Sequence, residues 1–107
     1  MASSCEEEYS ALYLGIVDDE DNYVKFKIDR KDLGDFRKLD FSVTFDEAQR
    51  QLWVRTRKDN VLYQCNYLIK GLIKTSNLEG GLKKKKDYAS LRIEKDLKNG
   101  KFNLNDK

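Results

Sequence analysis

Hydrophobic and polar residues alternate strictly in three stretches of this chain. In residues 23–29, Val24, Phe26 and Ile28 fall on one side and Lys25, Lys27 and Asp29 on the other. Phe41, Val43 and Phe45 alternate with Ser42, Thr44 and Asp46, and Leu52, Val54 and Thr56 alternate with Trp53, Arg55 and Arg57. A period of two marks a strand with one wet face, because successive side chains of an extended backbone point to opposite sides. Residues 9–17 form a continuous apolar run with β-branched and aromatic members, which predicts a buried strand. The acidic turn at residues 18–22 then makes the first two strands a hairpin. Residues 46–50 connect the third and fourth strands, and residues 58–60 are another turn. The long β-rich stretch at residues 61–73 is expected to bend or bulge at Gly71.

Two segments are less regular. Residues 30–39 place Leu33, Phe36 and Leu39 at every third position around Gly34, as in a short helical turn or an ordered loop. Residues 88–97 satisfy two periods at once. Ala89, Ile93 and Leu97 share a helical face, with Asp87 placed to cap it and Asn99-Gly100 to stop it. Ala89, Leu91 and Ile93 also alternate as in a strand, and the expectation leans to helix. The predicted fold is β-rich, all-β or α+β: an antiparallel sandwich or partly open barrel of about five or six strands. In the α+β version a C-terminal helix is added. Residues 9–98 make the single domain, flanked by a flexible acidic N-terminus (1–8) and a flexible tail (99–107). The paired strands around residues 46–50 and the β run after them resemble the general layout of small β-sandwiches, including co-chaperone-type domains, and no motif assigns a family.

Composition narrows the chemistry. The chain has 107 residues, 39% apolar and 37% charged, with no histidine and no proline. That length fits one domain. The absence of histidine excludes Ser-His-Asp and Cys-His catalysis and any histidine metal site or pH switch. Cys5 and Cys65 stand sixty positions apart and cannot close a zinc site, which takes about four ligands. The acids at residues 18–21 lack the spacing and central glycine of a calcium loop. No catalytic, cofactor-binding or metal-ligating residue is therefore predicted, and a non-enzyme is expected. No apolar run reaches the ~18–20 residues of a membrane helix. The acidic N-terminus lacks the pattern of a signal peptide, so a reducing cytoplasmic or nuclear home with free thiols is expected.

Charge is strongly polarised. Residues 1–22 carry seven acids and no base (−7), residues 23–81 carry +4 and residues 82–107 carry +5, which sum to the net +2. Trp53, Arg55 and Arg57 project together from one strand, with Lys25 and Lys27 on the outer face of another and Lys83, Lys84, Lys85 and Lys86 in a basic run. Tryptophan and arginine, with tyrosines such as Tyr63, Tyr67 and Tyr88, are the residues most enriched in binding hot spots. The leading expectation is a module that binds a protein partner or a second copy of itself. The alternative is a single-stranded nucleic-acid binder that stacks bases on Trp53 and neutralises phosphates with the nearby bases. The lysine run would also blunt an exposed strand edge.

Overall fold

The computed structural model describes residues 8–96. Eight strands are present: β1 (Glu8–Ala11), β2 (Tyr13–Asp19), β3 (Tyr23–Asp29), β4 (Phe41–Asp46), β5 (Gln51–Lys58), β6 (Val61–Leu68), β7 (Leu82–Lys84) and β8 (Tyr88–Glu94). They form two four-stranded sheets, β1-β6-β5-β4 and β2-β3-β8-β7. The fold is the predicted β-rich sandwich. Among the described residues no helix is long and apolar enough to cross a membrane.

The alternating stretches became strands with the predicted faces. Val24, Phe26 and Ile28 of β3, Val43 of β4, and Leu52, Val54 and Thr56 of β5 are buried, while their polar neighbours point away from the core. The sheets meet through these faces: Phe26 of one sheet stands edge-on to Tyr67 of the other, with ring centroids 5.1 Å apart. Leu91 and Ile93 fill the same layer from β8. Burial of such side chains, each contributing about 1.5–3 kcal/mol, drives the pairing of the sheets.

The turns follow their residues. Asp46 accepts hydrogen bonds from the backbone N–H of Ala48 (3.0 Å) and Gln49 (3.3 Å), which sets the four-residue connection to β5. β5 and β6 are joined by Asp59 and Asn60, both with positive φ (53° and 68°). That is the two-residue hairpin geometry that asparagine and aspartate tolerate best after glycine.

Three expectations need correction. Residues 88–97 do not form a helix: β8 is a central strand, hydrogen-bonded to β3 across seven residue pairs and to β7 on its other side. The two flanking ladders override the local helical spacing, and Leu97 lies outside the described residues. The run at residues 9–17 is not one buried strand. It leaves the first sheet at Leu12, which is 4% exposed, and enters the second sheet as β2. Both pieces are edge strands, so Tyr9 and Tyr13 are each 65% exposed. Arg30 holds the crossing by donating to the Ser10 hydroxyl (2.6 Å) and the Ala11 carbonyl (2.5 Å). Finally, the 61–73 stretch stops as a strand at Leu68, and Gly71 lies in the loop that follows. These changes, with β7 drawn from the lysine run, bring the strands to eight. The predicted flexible ends lie outside the described residues, except that Glu8 opens β1.

Residues 30–39 contain two single 3-10 turns, and these bury Leu33 and Phe36 against the sandwich. Asp35 caps the second. Its carboxylate accepts from the Arg37 side chain (2.9 and 2.8 Å) and from the Arg37 backbone N–H (3.0 Å). Bonding to that guanidinium, and then to the backbone, holds the Asp35 carboxyl well below the usual carboxylate range. A depressed carboxyl contributes stability that is complete above its unfolded value of about 3.9 and is lost as pH falls toward the folded value. Asp35→Asn is accordingly expected to leave stability independent of this group, so the wild-type advantage over the variant shrinks as pH drops below about 4. Urea midpoints at pH 7, 4 and 2.5 check this; a gap that widens in acid contradicts it.

Candidate functional site

The outer face of the first sheet is built around β5. Because Leu52, Val54 and Thr56 fill the core, Trp53, Arg55 and Arg57 project outward together. The strand is extended, and the indole is half-buried on the surface rather than inside the sandwich. The Arg55 guanidinium lies 4.5 Å from the indole centroid, and its Nε donates to Gln64 Oε1 at 3.1 Å. A planar cation over a π face holds both groups in place, so the pair meets a partner partly pre-ordered. Across the ladder Trp53 stands between Thr44 and Asn66, and Arg55 between Ser42 and Gln64. Asn66 donates to Gln51 Oε1 at 2.8 Å. The exposed Tyr9 and Leu68 lie at the margins of this face. The surface is thus a tryptophan–arginine pair in a field of amides and hydroxyls, rimmed by apolar side chains.

Lys25 and Lys27 are not on that face. They project from β3, on the outer face of the opposite sheet, so the sandwich separates them from Trp53. The lysine run divides. Lys83 and Lys85 line a groove of 440 Å³ with Lys25, Lys27, Tyr88 and Ser90. Lys84 turns the other way, its ammonium donating to the Leu39 carbonyl at 2.6 Å. Lys86 is exposed, and its backbone carbonyl accepts from the Phe36 N–H at 2.9 Å. β7 is an edge strand, so the lysines also stand where charge hinders pairing with another sheet.

The nine predicted residues therefore fall into two sets: Trp53, Arg55 and Arg57 on one face, and Lys25, Lys27, Lys83 and Lys85 on the other, with Lys84 and Lys86 apart from both. Sequence reasoning missed Arg92 and Tyr23, which flank Lys25 on the lysine face. Alternation through Tyr88, Ser90 and Arg92 carried the signal for that face, and the helical reading of the segment hid it. Tyr63 and Tyr67 are partly buried against the core and are not surface anchors. Cys65 sits beside them. Burial pushes its thiol up to about 12, so it is a small packing residue rather than a nucleophile. Cys5 lies outside the described residues.

No protein-family model matches the chain, no curated protein matches its sequence and no solved structure matches its fold.

Proposed function

We propose that the domain is a non-enzymatic interaction module that docks a protein surface, on another chain or on a second copy, against the face centred on Trp53. The observation that supports this reading is the outward indole, braced by Arg55 at 4.5 Å and surrounded by uncharged hydrogen-bonding groups. An aromatic anchor with an arginine beside it is the usual composition of a hot spot, and a polar field around it excludes water once covered. Nucleic acid on this same face would rely on Arg55 and Arg57 for its phosphates, because the lysines belong to the other sheet.

Trp53 is the only tryptophan in the chain and so reports on its own face. In a complex formed through this surface its emission moves to the blue and acrylamide quenching drops. Trp53→Ala weakens that complex by about 2 kcal/mol or more, near thirtyfold. Light scattering across concentration detects a second copy. A photo-crosslinking side chain at position 66, compared with one at position 29 on the opposite face, detects another chain. Emission unchanged in an isolated complex, or equal crosslinking from both positions, contradicts the reading.

A further inference from the structure

The outer face of the second sheet has its own chemistry. Lys25 and Lys27 of β3 are two residues apart, about 6.6 Å along the strand. Arg92 stands directly across the ladder from Lys25, and Lys83 and Lys27 flank Ser90 from either side. Lys85 completes the groove of 440 Å³ that this grid lines. A second groove of 460 Å³ adjoins it through Lys25, Lys83 and Ser90 and continues to Tyr23, Asn77 and Arg92. Three carboxylates stand near this grid: Glu94 lines the second groove beside Lys74 at 3.7 Å, Asp18 lies opposite Lys25 in the ladder, and Asp29 is 3.9 Å from Lys27. Among the described residues no carboxylate lies within ion-pair distance of Lys25, Lys83 or Lys85.

Aromatic rings close both ends of this grid. Tyr23 and Tyr88 lie six residue steps apart along the β3 register, about 20 Å. A cation already lies over each: Arg92 at 3.9 Å from the Tyr23 centroid and Lys27 at 4.9 Å from that of Tyr88. A regular row of positive charge between two π surfaces matches a ligand that alternates anions with flat rings. An acidic peptide would use the charges and leave the rings idle. A duplex would meet an open sheet face with no element raised to enter its grooves.

From this charge and ring complementarity we infer that the Lys25–Lys83–Arg92 face binds single-stranded nucleic acid, with phosphates on the cation grid and bases on Tyr23 and Tyr88. The site is separate from the Trp53 face and goes beyond the protein-docking reading. The test is fluorescence anisotropy with a labelled oligothymidylate of about 12 nucleotides, titrated across salt. Five cations predict a slope of log affinity against log salt of about −3.5, a loss of about a hundredfold between roughly 50 and 200 mM. Lys25→Ala/Lys83→Ala makes the slope shallower by about 1.4 and weakens binding about tenfold at roughly 200 mM salt and more at lower salt. Tyr23→Leu/Tyr88→Leu weakens binding by about tenfold or more with the slope unchanged. Lys70→Ala, an exposed charge elsewhere, leaves affinity within about a factor of two. Trp53 emission of the wild-type protein stays where it was while the oligonucleotide saturates the site. Thermal melts of each variant ensure that folded protein is compared. Any of four results overturns the inference: no saturable binding at low salt, polyglutamate bound as tightly as the oligonucleotide, tyrosine variants that bind like wild type, or a Trp53 shift on binding.

Discussion

Phe26→Ala is expected to lower the free energy of unfolding by about 3–5 kcal/mol, the range for emptying the space of a buried phenylalanine. Phe26 is fully buried on a central strand and meets Tyr67 across the sandwich, so the loss falls on the contact that joins the two sheets. Neither sheet can close the void alone, because the ladders to β2 and β8 fix the position of the backbone on both sides. A domain of this size has about 5–15 kcal/mol in total, so the variant is expected to melt more than about 12 °C lower. The urea midpoint should fall with little change in slope, since the surface exposed on unfolding is nearly the same. Ile16→Ala, at an edge where the side chain is 37% exposed, should lose under about 1 kcal/mol. A Phe26→Ala loss as small as that of Ile16→Ala would mean that the sheets are held together elsewhere.

The strands whose two sides differ in polarity were legible from the residues alone, down to the face each side chain takes. Val24, Phe26 and Ile28 could turn only one way once Lys25 and Lys27 had to meet water. β8 was not legible for the same reason in reverse. As a central strand it buries Ser90 along with Ala89, Leu91 and Ile93, so the inside–outside contrast that marks a strand is weak there. Its helical and extended readings differ only through partners distant in sequence, and the β3 ladder decides between them. The switch at Leu12 had no local signal either. No glycine or proline punctuates it, and its cause is the parallel pairing of β1 with β6, some fifty residues away.

The same limit explains what could be read of the candidate surfaces. Alternation places Trp53, Arg55, Lys25 and Lys27 outside, but a sandwich has two outsides. Which sheet a strand joins depends on connectivity between elements, and period-two patterning is blind to it. The consequence is functional: an arginine–tryptophan pair among amides and a lysine grid between tyrosines are different surfaces with different chemistry. The width of the core separates them. Bases from β3, β7 and β8 gather on one sheet face although they are spread over more than sixty residues.

The end of β8 is fastened by charge, and this leads to the second large effect. Lys95 is 8% exposed, and its ammonium donates to Asp19 Oδ1 at 2.8 Å. Its backbone N–H donates to the Asn22 carbonyl at 3.0 Å, so β8 is tied to both sides of the β2–β3 turn. Asp19→Ala is expected to lose about 2–3 kcal/mol, because a buried ammonium loses one of its partners, the carboxylate at 2.8 Å. The figure is below the usual range for a buried pair because Asp19 itself is 37% exposed. Lys95→Met should lose less than about 1 kcal/mol: the thioether fills the same space, and the Asp19 carboxylate keeps its access to water. The double variant is then expected near the stability of Lys95→Met, giving a coupling of about 2 kcal/mol between the two positions. Raising salt should change the Asp19→Ala loss little, since a shielded pair is poorly screened. Equal losses in the two single variants, with additivity in the double, would show that the contact acts through packing and not through charge.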